Sequence, residues 1–479
     1  MSLSKKNKIL FPMYVAGIPV IFLISLLPTI HYDEIYLDAI IIGFFIAYVV
    51  TVIYTIRIFS VANFYLLFTL LSSFFIYNSF FYSLFRDYNF LITGYPIRMQ
   101  FEKETGFFLI CLSFLFVYVM HIFYVWFSKD NIENPSRYSF EGFYNNIYEK
   151  IGIFIMILFT IPVATKAYIQ LNHVMNYGYL AIFRGDLQEL NYPIWTTGSF
   201  IIFSSGYYIF LSSFPKSKIK YVMISLLFLS VATLHALTGQ RLFVLSALLA
   251  ILVFYKMIFN AKIQFKSLLR IIFACLLFSV LMGNMRVGFG NGTQNDMLRI
   301  GDSLEIIEHF LYEQTNTRMV PMLIIERDIK HHTYPFIFSP IVAPLLRTVS
   351  LINGPIYYDR NFEITNDISF LTMYTVSRDF ALMGAGYGGA VLAEFYNLGG
   401  VFGVILMSMI LAFILTKCEY LRISKRYRFI FPVIFMFLLY SVGLARNRFF
   451  SFFDIPVIIF SLLVCLVIPL LKYIKNERK

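Results

Sequence analysis

Charge is what these 479 residues hold least of: 14% are Asp, Glu, Lys or Arg, against 59% hydrophobic. A water-soluble domain of this length needs far more polar surface, so a soluble globular fold is excluded. Cysteine is nearly absent as well. Cys111, Cys275, Cys418 and Cys465 lie in or beside apolar runs or at their lysine-rich ends, which offers neither a disulfide framework nor zinc-ligand spacing. The chain also lacks a phosphate-cradling Gly-x-x-x-x-Gly-Lys loop, a dinucleotide fingerprint and a Gly-x-Ser-x-Gly nucleophile. It has no internal repeat, which weighs against a transporter built from inverted halves. His331-His332 beside Asp328 is the nearest approach to a metal motif. Adjacent residues on regular structure point in different directions, so a solvated pair is preferred. No metal and no cofactor are expected.

What the chain does have is apolar runs of about 20 residues, the length an α-helix needs to cross a bilayer. The mean hydropathy is +0.73. We expect an all-α polytopic membrane protein with about twelve spans, near 9–30, 37–56, 59–82, 105–127, 151–168, 197–214, 221–238, 242–259, 267–285, 387–415, 428–445 and 455–472. This divides the chain into nine spans over 1–285, a long loop over 286–386 and three spans with a tail over 387–479. Lys5, Lys6 and Lys8 precede an apolar run too long for a signal-peptide core and without a small-residue cleavage site, so the first helix is expected to be retained.

With the N-terminus inside, 23 of the 39 cations fall on the cytoplasmic side, mostly in short loops. The net charge of +12 is then accounted for by a basic inner face against anionic lipid, with no nucleic-acid partner required. The two faces differ in kind. The inner set holds 16 Lys and 7 Arg, whereas the outer 16 cations comprise 13 Arg and only Lys103, Lys166 and Lys330. Topology selects for charge, not for guanidinium over ammonium. Arg grips phosphate or carboxylate at two points and stays charged when half-buried, so an Arg-biased outer face points to an anionic ligand there.

The loop over 286–386 is too long for a connector and implies structure of its own. Asp302-Ser303-Leu304-Glu305 reads as a helix start, Met319–Ile329 as a second short helix. The broken apolar stretch Ile337–Ile352, with Pro340 and Pro344, is expected to lie on or dip into the membrane. Three constellations flank this loop. Thr238-Gly239-Gln240-Arg241 is a tight turn that sets one guanidinium at the outer surface; its plainer role is a hairpin with an interfacial anchor. Ser377-Arg378-Asp379-Phe380 is followed by Gly386, Gly388 and Gly389 just before the tenth span. Glycines there suit either close approach of a phosphate to a helix N-terminus or small-residue packing, and Arg378 favours the diphosphate. Glu394 lies one to two turns into that span, where an ionisable group is paired or functional. Pairing with Arg378 or Arg241, or orientation of a sugar, is preferred over base catalysis. Farther on, Arg446 and Arg448 with Asp454 form another outer cluster, whose plainer reading is a local salt bridge.

The Gly-Gln-Arg turn, the long outer loop and the run Glu394-Phe395-Tyr396-Asn397-Leu398-Gly399-Gly400 resemble Wzy-type O-antigen polymerases, and more broadly bacterial repeat-unit polymerases. Arg378 and Gly389 fit an Arg-x10-Gly spacing described for loops of that family; no earlier loop carries a second copy, a departure from a two-loop scheme. The resemblance implies a GT-C-like fold in the inner membrane, both termini cytoplasmic and the active site periplasmic. It implies a growing glycan on undecaprenyl diphosphate as donor and a lipid-linked repeat unit as acceptor. It leaves room for a chain-length regulator as a partner. On this reading Arg241 and Arg378 hold the diphosphate, Arg286, Arg446 or Arg448 assists, and Glu394 orients a sugar or an arginine. Gly386, Gly388, Gly389, Tyr396 and Asn397 complete the substrate-binding set, and Tyr357 and Tyr358 are candidates for stacking on sugars. A lipid-linked oligosaccharide flippase and an O-antigen ligase are the alternatives.

Overall fold

The computed structural model describes residues 5–31, 37–59, 63–84, 92, 99–133, 144–177, 192–237, 241–261, 263–264, 266–267, 270–271, 274, 314–330, 333–348, 366–382, 386–419, 429–452 and 454–477. Its elements are helices throughout. Eight are long and apolar enough to cross a membrane: Leu37–Phe59, Phe64–Ser83, Lys103–Ser128, Asn146–Tyr177, Ile194–Ser212, Lys218–Leu237, Leu242–Phe259 and Val391–Glu419. Phe11–Leu27, Phe431–Val442 and Ile455–Val467 are shorter apolar helices within the first, eleventh and twelfth expected spans. The ninth, 267–285, falls almost wholly outside the described residues. The chain is thus an all-helical, multi-pass membrane protein. Large apolar side chains left exposed on Asn146–Tyr177, among them Phe154, Ile157, Leu158 and Ile161, are what lipid contact selects.

Two compact units gather these helices without following chain order. The first comprises Met1–Arg137, Ile300–Tyr420 and Leu444–Phe450. It contains α1 (Lys5–His31), α2 (Leu37–Phe59), α3 (Phe64–Ser83) and α4 (Lys103–Glu133). Asp38 in the first turn of α2 and Arg57 in its last turn match the helix dipole. Asn63 caps α3, its Oδ1 accepting the Leu66 N–H at 3.0 Å. Aromatic stacking ties the unit together: Phe22 of α1 lies on Phe114 of α4 with centroids 3.8 Å apart. Within α3, Ser73–Tyr77 forms a π-turn, a wide turn that recurs at functional sites.

The second unit comprises Tyr138–Arg299, Leu421–Gly443 and Ser451–Lys479. Its helices are α5 (Asn146–Tyr177), α6 (Ser199–Ser212), α7 (Lys218–Leu237) and α8 (Arg241–Phe259), with Phe431–Val442 and Ile455–Glu477 farther on. Gly152 and Gly206 let α5 and α6 approach: a methyl at Gly152 would lie 2.6 Å from the Phe210 amide nitrogen. Glu149, buried on α5, pairs with Lys220 of α7 at 2.7 Å.

The long-loop region that is described returns to the first unit. Met319–Arg327 forms α9, ended by Asp328 in the left-handed region at φ 46°. The apolar stretch with two prolines forms α10, Ser339–Thr348. Beyond it come α11 (Ile368–Val376) and α12 (Arg378–Leu382). The expected helix start at Asp302 lies outside the described residues, as do His331-His332, Tyr357 and Tyr358.

The tenth span departs from the uniform helix expected from 387. It begins at Val391 as α13 (Val391–Glu419) and breaks at Gly399 and Gly400, the latter at φ 59° and ψ −143°. Such angles are open to glycine and closed to most other residues. The eight residues that carry Glu394 are therefore a separate helical piece, set off from the apolar helix that follows.

Candidate functional site

The first unit brings together six of the residues singled out from sequence: Gly386, Gly388, Gly389, Glu394, Arg446 and Arg448. Five of them meet where Leu444–Phe450 passes the N-terminal end of α13, and Gly386 lies against Ser369 of α11, whose Oγ a methyl there would meet at 2.6 Å. Gly389 allows that approach, because a methyl there would sit 2.8 Å from the Asn447 carbonyl carbon and 2.9 Å from the Arg448 amide nitrogen. Gly388, at φ +85°, turns the chain beneath Arg446, whose Nε lies 3.5 Å from the position a Cβ would take. Its N–H is donated to Ser369 Oγ at 2.9 Å. Gly389 thus serves close backbone packing against Leu444–Phe450, a strap across this end of the helix, in the manner of small-residue contacts, while Gly388 serves the turn through its positive φ.

Glu394 is buried at 1% exposure. Its Oε2 accepts the Phe449 N–H at 2.7 Å, and Oε1 has no hydrogen-bond partner among the described residues. A buried polar atom without a hydrogen-bond partner is costly, and in Glu394 that cost falls on Oε1. Its hydrogen-bond partner is a backbone amide; Arg448 and Asp367 lie within electrostatic range.

The two arginines of the strap are held apart. Arg448 donates from Nη1 to Asp367 Oδ2 at 2.6 Å and to Ser339 Oγ at 3.4 Å. Its other donors, Nε and Nη2, have no partner among the described residues. Arg446 donates from Nη1 to Gln314 Oε1 at 2.6 Å, and its guanidinium lies 5.4 Å from the ring centroid of Phe75, inside the π-turn of α3. Asp454, the neighbour expected to pair with these arginines, instead accepts the Val457 N–H at 3.3 Å and starts the last helix. The true ion partner of Arg448 is 81 residues away. Burial pushes the Tyr334 phenol, which senses both Asp367 and Arg448, up to about 12, so it stays protonated.

The remaining candidates are placed separately. Arg378 opens α12 and is exposed, next to Asp379 and Phe380. Tyr396 packs edge-on against Phe108 of α4 at 5.7 Å between centroids. Asn397 Nδ2 donates to the Ile329 carbonyl at 2.9 Å, anchoring the short Glu394 helix to the segment after α9. Arg241 opens α8 in the second unit, its side chain outside the described residues along with the turn 238–240. Arg286 lies outside them too.

Sequence reading missed Gln314, Ser339, Asp367 and Ser369. Asp367 had a local signal: Asp-x-Ser ahead of an apolar run is a helix N-cap, and Oδ1 indeed accepts from the Ser369 and Phe370 N–H groups at 3.0 and 3.4 Å. Gln314 and Ser339 had none. Arg318, beside Gln314, is a large, fully buried side chain at 0% exposure, which a count of outer arginines cannot single out.

The family model for the O-antigen polysaccharide polymerase Wzy matches residues 10–478. Neither a curated protein nor a solved structure matches the chain.

Proposed function

The chain belongs to the Wzy family of O-antigen polysaccharide polymerases, and from that premise we propose how it extends its glycan. Membership makes it an O-antigen polymerase acting in a membrane on lipid-linked oligosaccharides. The donor is the growing glycan on undecaprenyl diphosphate, and the acceptor is one repeat unit on the same lipid. The reaction takes place on the periplasmic side of the inner membrane, with both termini cytoplasmic. An acceptor hydroxyl oxygen bonds to the donor's reducing-end carbon as that carbon's bond to the diphosphate oxygen breaks. The bonding pair leaves with undecaprenyl diphosphate, and the hydroxyl proton passes to water.

Negative charge builds on the departing diphosphate, and fixed cations aimed at it lower the barrier. Arg378, Arg446 and Arg448 take that role, and Arg241 joins them on its sequence context alone. In support, Arg448 keeps two donor nitrogens uncommitted and Arg378 is exposed. Guanidinium groups do this work without a metal. Glu394 acts as a positioning residue: burial keeps it from substrate, while its bond to the Phe449 N–H fixes the strap that carries both arginines. Tyr396 and Asn397 hold the short helix, and the bilayer supplies both lipid substrates.

The observation that carries this reading is the family match over nearly the whole chain. The test is extension of a purified lipid-linked repeat unit in detergent with EDTA present, for wild type, Arg241→Ala and Arg378→Ala. A ladder from wild type that is lost in the folded variants is expected. Failure of folded wild type to extend its cognate unit overturns the reading. A ladder only when divalent cation is restored overturns metal independence.

A further inference from the structure

Three polar side chains from three separate parts of the chain close on the seven residues Leu444–Phe450. Gln314 takes Arg446, Asp367 takes Arg448 and Glu394 takes the Phe449 amide, at 2.6, 2.6 and 2.7 Å. Asp367 differs from the other two because its carboxylate works in two directions. Oδ2 binds Arg448, while Oδ1 caps α11 through the Ser369 and Phe370 amides. Ser369 Oγ in turn accepts the Gly388 N–H, so the glycine turn is tied to the same helix end. At the far end of α11, Thr375 O accepts from Arg327, and Arg378 follows two residues after the helix closes at Val376.

The chemistry of Arg448 explains why an acid is needed here. Its Nη1 carries two hydrogens, one spent on Asp367 and one on Ser339. That fixes the guanidinium plane and leaves Nε and Nη2 directed elsewhere, a fork arrangement that a lysine cannot reproduce. A pair serving packing alone is commonly replaceable by apolar residues. This one is only part-buried, with side chains 29% and 17% exposed, and its arginine keeps its Nε and Nη2 donors for something else.

We infer that Asp367 is a positioning residue for chain extension: it sets the direction in which Arg448 presents its uncommitted donors to the lipid diphosphate. The inference rests on the reading that Arg448 holds the diphosphate.

The test uses the full chain in detergent, with initial rates of extension on the purified lipid-linked repeat unit. The variants are Asp367→Asn, Arg448→Ala, their combination and Arg448→Lys, each with a thermal unfolding curve. Asn caps a helix as well as Asp, so Asp367→Asn is expected to unfold at the wild-type temperature. Its kcat is expected to fall about tenfold with KM little changed, the pattern of an interaction lost in the transition state. Arg448→Ala is expected to fall about a hundredfold, as for loss of one donor to developing charge. The combined variant is expected to be no slower than Arg448→Ala alone, because Asp367 acts through that arginine. Arg448→Lys is expected to recover less than half of the lost rate. Wild-type kcat in Asp367→Asn, or additive losses in the combination, overturns the inference. Wild-type kcat in Arg448→Ala instead overturns the assignment of that arginine to the diphosphate, whatever Asp367→Asn does. If Asp367→Asn unfolds early, Asp367→Glu decides: restored stability without restored kcat supports positioning, and restoration of both by the longer carboxylate refutes a geometric role.

Discussion

Gly389→Ala perturbs the strap without removing any polar group. A methyl at this position would meet the Asn447 carbonyl carbon at 2.8 Å, the Arg448 amide nitrogen at 2.9 Å and Arg448 Cγ at 3.1 Å. Ordinary contact begins near 3.4 Å, so the backbone must give by about 0.6 Å. Two of the three atoms are main chain, and that segment is held by the Arg446 and Arg448 side chains and by the Phe449 amide. Overpacking of this sort costs about 1–3 kcal/mol. Its kinetic effect should exceed its effect on stability, because a shift approaching 1 Å in a charge-stabilising group costs about a hundredfold in rate. We expect a modest fall in unfolding temperature and a fall in extension rate of about tenfold or more, measured on the same detergent sample. Gly399→Ala is the control, since a methyl there meets nothing within 4 Å. Identical unfolding and identical rates for the two variants would refute the close-packing argument.

Two further outcomes follow from the same geometry. Glu394→Gln can keep the acceptor for the Phe449 N–H and is expected to extend chains at a rate near wild type, whereas Glu394→Ala orphans that buried amide and is expected to lose about 1–3 kcal/mol of stability; a dead but well-folded Glu394→Gln would show that the charge itself is used. Gly400→Ala forces an L-residue to φ 59° and ψ −143° and is expected to cost about 1–3 kcal/mol, read as earlier thermal unfolding than Gly399→Ala; equal curves would show that the break is not glycine-dependent.

Much of the fold was legible because a bilayer imposes a one-dimensional rule. Eight expected spans reappear as helices long enough to cross, and three more as shorter apolar helices, since every backbone amide in hydrocarbon must be satisfied within its own helix. Chain order and local composition suffice for that. The break at Gly399 and Gly400 is visible in sequence as a glycine pair, but glycine pairs also serve helix packing. Only backbone angles distinguish a kink from a contact.

Site residues divide along the same line. An acid placed just inside an apolar run marked Glu394. That signal is local, because placing a charge within an apolar segment is costly wherever it occurs. Partnership is not local. Arg448 stands six residues from Asp454 and binds Asp367, and Arg446 binds Gln314. The free energy of an ion pair depends on distance in space, and sequence separation carries almost no information about it once a long loop has folded back. The residue types therefore determined that this chain lies in a membrane and that it carries an acid inside an apolar helix. Tertiary structure decided which charges meet, and it made Asp367 rather than any sequence neighbour the partner of Arg448.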